Sequence, residues 1–186
     1  MSATKNLHLL AAAAALMLLS ACAELKFQQP AKGLEFALTG RIAVRYNREG
    51  SSGNIEWRHR ANGDEMLITS PLGQGIARIE RDGTVVSVTT ASGRIYRAHD
   101  AETLTEQVLG YRLPLAGLAD WVRARPAAGP AQETRGPNGR PSEIEQNGWR
   151  IDYLAYFEHS NLPARLRLVY PGVELRLAIT KWQTQR

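Results

Sequence analysis

Four histidines, one cysteine and 18 acidic residues are the side chains of this 186-residue chain suited to metal binding or proton transfer. The histidines stand at positions 8, 59, 99 and 159, far apart in sequence. No HxxxH, CxxC or Asp-rich calcium loop gathers donors at metal-ligand spacing. A phosphate-binding loop has to open a helix. The stretch Pro71-Leu72-Gly73-Gln74-Gly75 has two of the needed glycines but runs into an alternating, strand-like pattern. A GxSxG nucleophile elbow is absent. Pairs of carboxylates occur in any chain this acidic, so a glycosidase-like hydrolase stays open. The expectation is no metal, no cofactor, no catalytic residue and no enzyme. The net charge of +5 is spread along the chain without a long basic run, which argues against nucleic acid.

The cysteine points elsewhere. Cys22 is alone, so no disulfide can form within the chain. Upstream lie a short start carrying Lys5 and the apolar run Leu9–Leu19, followed by Leu19-Ser20-Ala21-Cys22. The run is too short to span a bilayer and has the length of a signal-peptide core. The order of charged start, apolar run and Leu-Ser-Ala-Cys resembles a bacterial lipobox, in which the thiol is acylated and cleavage exposes the cysteine amine. Residues 1–21 are then a lipoprotein signal peptide, and 22–35 a lipid-anchored tether. Ala23, not Asp, follows the cysteine. By analogy with Gram-negative sorting, that implies release to the outer membrane, facing the periplasm.

From Phe36 the pattern has period two. Phe36, Leu38, Ile42, Val44 and Tyr46 share one face and Arg41 and Arg45 the other, with Gly40 marking a bulge. Ile55, Trp57 and His59 alternate with charged residues before the turn signal Asn62-Gly63. Further strands are read in "EMLITS", "IARIER", "TVVSVTT" and "RIYRA". The period then changes. Asp100 caps a helix carrying Leu104 and Val108, and Gly110 ends it. Pro114 starts a second helix striped by Leu115, Leu118 and Val122 beside Trp121. Residues 125–142 are rich in Pro and Gly and read as a mobile loop. Strands resume around Asn147-Gly148, in "ARLRLVY", and after Pro171-Gly172 in "VELRLAITKW". Antiparallel strands with one apolar face must close, or half-close, around something. The two helices can lie across that face. The fold class is therefore mainly β (α+β), a single domain over 36–186.

Two features have no assigned work in that scheme. Trp57, Trp121, Trp149 and Trp182 are spread over the strands and the second helix, either as core packing or as walls of an apolar cavity. In Ser70-Pro71-Leu72-Gly73, the residue types match a type I turn with Leu72 near its tip. The motif leaves two placements open, and by itself tips slightly to the first: Leu72 folds back into the core, or it stands out in water. One leucine buried in lipid contributes about 1.5–3 kcal/mol, too little to anchor a protein but enough for a brief contact.

The landmarks "LTGRIAV", "IEW", "LITSPLGQGIARIE", "YRAHDAETL", "LGYRLPLAGLADWV", "QNGWRIDY" and "LRLAITKW" occur in that order from Leu38 to Trp182. With the lipobox, they resemble the LolB family of outer-membrane lipoprotein receptors. The resemblance implies an unclosed antiparallel β-barrel whose central helices cover an apolar cavity. It implies that a periplasmic carrier, LolA, hands acylated lipoprotein cargo to a monomeric receptor, which inserts it into the inner leaflet of the outer membrane. It also implies a membrane-insertion loop at Pro71, Leu72 and Gly73, and lipid attachment at Cys22. Departures from the family pattern fall in residues 125–142 and in a short segment between Cys22 and Leu38. An envelope-assembly scaffold without a lipid cavity remains the alternative, with an envelope hydrolase behind it.

Overall fold

A computed structural model describes residues 33–46, 49–110, 112 and 114–184. Cys22, the signal segment and most of the tether lie outside these. The β alternation resolves into strands β1 (Leu34–Tyr46), β2 (Glu49–Arg60), β3 (Gly63–Thr69), β4 (Gly75–Asp82), β5 (Val85–Thr90) and β6 (Ile95–Ala98). Helices α1 (Ala101–Leu109) and α2 (Leu115–Trp121) follow. The chain closes with β7 (Gln132–Arg135), β8 (Pro141–Gln146), β9 (Trp149–Tyr156), β10 (Pro163–Tyr170) and β11 (Val173–Thr184).

All eleven strands form one antiparallel sheet in the order β6-β5-β4-β3-β2-β1-β11-β10-β9-β8-β7. Two meanders are thus zipped together by the first and last strands, and β6 and β7 remain as the edges of an unclosed sheet. The chain passes between those two edges through α1 and α2, so the helices must cross an apolar face to get there. Leu104 of α1, with Leu115, Leu118 and Trp121 of α2 and the following Val122, joins the buried cluster formed by Phe36, Leu38, Trp57 and their neighbours on the sheet.

Local chemistry explains the punctuation. The Asp100 side chain accepts from Glu102 N at 3.0 Å, capping α1, and Gly110 ends it with φ 84°. Asn147 and Gly148 both take positive φ, 53° and 78°, as a two-residue primed hairpin turn requires. At Gly40 the β1–β11 register slips by one residue, and a Cβ there would stand 2.4 Å from the Ala178 carbonyl oxygen. The bulge is therefore built around the missing side chain. One expectation fails. Residues 125–142 are not simply a loop: Gln132–Arg135 is strand β7, paired to β8 at one edge of the sheet. All four of its residues are exposed, so it has no apolar alternation to betray it.

Candidate functional site

The Ser70-Pro71-Leu72-Gly73 turn connects β3 to β4. Gly73 N donates to Ser70 O at 2.9 Å, the i to i+3 bond of a β-turn, with Gly73 at φ 85°. Ser70 N donates to Gln74 O at 2.7 Å, and Gln74 N donates to the Ser70 hydroxyl at 3.1 Å. Asn54 of β2 braces the stem by donating to Ser70 O at 3.1 Å. These bonds close the loop without the Leu72 side chain. That side chain is 91% exposed, the most exposed large apolar residue among those described. Of the two placements the sequence left open, the structure takes the outward one. Pro71 and Gly73 are exposed beside it.

The helices sit on the opposite resource, the apolar face. Trp121 is fully buried, 6.3 Å from the Trp149 ring. Its Nε1 donates to Gln146 Oε1 at 2.8 Å, and the Tyr153 hydroxyl donates to the Trp121 carbonyl at 2.7 Å. That carbonyl ends α2 and also accepts from Ala124 N at 3.0 Å, so Tyr153 fills its second lone pair. Burial pushes the Tyr153 phenol well above its usual range, so it stays a donor. Gly117 makes room for the indole: a Cβ on it would stand 2.5 Å from Trp121 Cζ2. Beyond α2, Arg123 pairs with Glu35 at 3.0 Å and lies 5.1 Å over the Phe36 ring. The second helix is thus fixed to the sheet by specific polar contacts. Helix α1 buries Leu104 fully and Val108 in part.

Trp57 and Trp149 are also buried in the cluster, and Trp182 is partly buried against it, donating to Pro163 O at 3.0 Å. The structure therefore brings all four tryptophans to one apolar core and places the Leu72 loop outside it.

Sequence reasoning missed a buried polar cluster. Asp64 is 5% exposed and takes up three donors. Trp57 Nε1 donates to Oδ1 at 2.8 Å, His59 Nδ1 stands 2.6 Å from the same oxygen, and Arg81 Nε donates to Oδ2 at 2.6 Å. Burial alone would raise the Asp64 carboxyl, but the hydrogen bonds from His59, Trp57 and Arg81 outweigh it and hold the group below its ordinary value. His59 is stacked on Phe36 at 4.8 Å, and its other nitrogen faces Glu35 at 3.7 Å. The His–Asp pair is thus walled in by aromatic rings and salt-bridged side chains. It staples β2, β3 and β4 together. A signal was available: Asp64 shares the inward phase of Met66 and Ile68, where an acid is out of place.

Comparison with known proteins identifies the family. Residues 34–182 match the family described as outer membrane lipoprotein LolB. The outer-membrane lipoprotein LolB of Thiobacillus denitrificans is 45% identical over 152 residues, covering 80% of this chain and 80% of that protein. The protein of the same description from Pseudomonas paraeruginosa is 34% identical over 202 residues, covering 97% of this chain and 98% of its own length. A solved structure of a DUF1329 family protein from Desulfovibrio piger shares the fold, with a TM-score of 0.53 at 5% identity, over 83% of this chain and 87% of that one. A match over most of the sheet and both helices, together with relatives at 45% and 34% identity, establishes the assignment: this chain belongs to the LolB family of outer-membrane lipoproteins, whose work is protein transport.

Proposed function

We propose that this protein accepts acylated lipoproteins from the periplasmic carrier LolA, shelters their acyl chains against the apolar face beneath α1 and α2, and inserts them into the inner leaflet of the outer membrane. The observation that carries the reading is Leu72, 91% exposed on a loop whose hydrogen bonds close without it. A leucine in that position gains nothing in water and gains about 1.5–3 kcal/mol on entering lipid. The protein itself is held at the membrane by acylation of Cys22, so the loop has only to make local contact.

The physical problem is the cargo's acyl chains. At ~0.8 kcal/mol per CH₂, exposing them to water costs on the order of tens of kcal/mol. An apolar host must therefore receive them at every stage. Direction comes from affinity, with the receptor binding more tightly than the carrier and the bilayer more tightly still, and no nucleotide is hydrolysed. The host surface is the one now covered by Leu104, Leu115, Leu118 and Trp121. Helix α2 is pinned by Tyr153, Gln146 and Arg123, and α1 packs on the sheet through Leu104, the fully buried Thr105 and the partly buried Val108. Helix α1, which packs over β5 and the edge strand β6 beside the opening of the sheet, is the element that yields when a chain enters. Incubating LolA loaded with a labelled lipoprotein with the purified protein, then with liposomes, tests the two steps separately.

The close packing of both helices on the sheet favours a second reading, a scaffold lipoprotein in envelope assembly that has no lipid cavity. Absence of acyl-chain binding by the purified protein would decide for it.

A further inference from the structure

The face of the sheet turned away from the core carries a groove to which the transfer proposed above gives no role. Cross-strand register sets Arg41 of β1, Ala178 of β11 and Arg165 of β10 in one row. The next row on that face contains Ser52, Ala43 and Arg176. Burial alternation puts these residues opposite the buried Ile42, Leu166 and Leu177. Ala43, Ser52 and Ala178 make a shallow floor because their side chains are short, and the arginines rise around it. The groove has a volume of about 440 Å³ and runs across the sheet from Pro71, next to Leu72, to Leu154, which is 57% exposed.

Its charge is one-sided. Three arginines line it and no carboxylate does. Arg176 is held by Glu174 at 2.5 Å. Arg41 and Arg165 form no ion pair among the described residues, although Arg45, Arg78 and Arg167 on the same sheet all do. Two strand spacings put the Arg41 and Arg165 backbones roughly 10 Å apart. Side chains of that length can converge on a single phosphate lying over Ala178, where guanidinium donors suit its oxygens. A free phosphate would have no use for the apolar floor or for Leu154. A lipid, with methylenes next to its phosphate, has a use for both.

We infer that this groove docks the headgroup of an anionic phospholipid at the membrane surface. Arg41 and Arg165 take the phosphate, while Ala43, Ala178 and Leu154 meet the glycerol and the first methylenes. The inference rests on the reading that the Leu72 loop enters the bilayer, because Pro71 belongs to both loop and groove. Insertion of the loop brings the groove to headgroup depth, and the groove then sets the tilt at which the protein meets the membrane.

The test titrates the mature acylated protein, held in a neutral detergent, with dihexanoyl phosphatidylglycerol, dihexanoyl phosphatidylcholine or inorganic phosphate, following arginine Nε–Hε NMR signals. Saturable shifts of Arg41 and Arg165 with the glycerol lipid are expected, with binding roughly 10- to 30-fold weaker in the double variant Arg41→Gln/Arg165→Gln. Thermal melting of that variant should be unchanged, because both side chains are exposed. Equal binding of inorganic phosphate would show a plain anion site and overturn the inference, as would the absence of saturable shifts. A double variant that loses cargo uptake from LolA, with no lipid binding to lose, would make the groove a protein contact and overturn it too. Leu72→Glu separates the two ideas. If it blocks delivery while the groove binds no lipid, only the groove proposal fails. If it leaves delivery intact, the insertion reading fails, whatever the groove binds.

Discussion

Replacing Leu72 with glutamate should uncouple delivery from every other property of the protein. The side chain is 91% exposed and the turn is closed by bonds between Ser70, Gly73 and Gln74. Its removal therefore breaks no native contact, and stability should stay within about 0.5 kcal/mol of the parent. Almost the whole side chain is free to enter lipid, and the lost burial is about 1.5–3 kcal/mol, or roughly 10- to 150-fold in membrane partitioning. Moving a carboxylate towards hydrocarbon adds to that, so the lower figure is a floor. Three readouts should separate: the melting temperature and cargo uptake from LolA hold steady, while incorporation of lipoprotein into liposomes falls at least tenfold. Leu72→Phe should keep incorporation, and Leu72→Ala should fall between. Unimpaired incorporation by Leu72→Glu would mean that the loop does not enter the bilayer. So would a parallel loss of uptake, which would make the loop part of the cargo or carrier site instead.

Other outcomes follow from the core. Gly117→Ala places a Cβ 2.5 Å from the Trp121 ring and should cost about 1–3 kcal/mol in urea unfolding, with a changed tryptophan emission as the indole shifts away from Gln146. Asp64→Ala leaves Trp57, His59 and Arg81 facing a site without an acceptor and should cost about 3–5 kcal/mol at pH 7. Because the folded Asp64 carboxyl is held below its unfolded value of 3.8, its contribution is complete above that pH and fades as pH falls through the depressed folded value. The gap between the parent and Asp64→Ala should therefore narrow progressively in unfolding curves recorded as the pH is lowered below 3.8. Leu104→Ala should loosen α1 from the sheet, lowering stability by about 2–5 kcal/mol and speeding acyl-chain entry in stopped-flow binding.

Much of this was legible before any coordinates, for identifiable reasons. Strands that bury one face announce themselves, as "VELRLAITKW" does, because alternation is the direct imprint of a half-buried sheet. The helix ends were legible because Asp100 and Gly110 satisfy backbone groups that few other residues can. Strand β7 was hidden because an exposed edge has no buried side to pattern it. The Asp64 cluster and the arginine groove were hidden for another reason. Arg81 lies 17 residues from Asp64, and Arg165 sits in register with Arg41 only through β11 between them. Pairing register creates such sites, and no local spacing encodes it. Leu72 lay between these cases: turn chemistry gave its position, while its direction depended on the hydrogen bonds that close the loop without it.

Acyl chains in transit should rest on the apolar face beneath the helices. A lipoprotein carrying a photoreactive diazirine midway along an acyl chain, passed from LolA to this protein and irradiated before liposomes are added, tests it most directly. Peptide mapping should place the crosslinks on inward-facing residues such as Leu104, Leu118, Trp121 and Leu168. Crosslinks confined to the outer face, or none despite stable complex formation, would contradict the account.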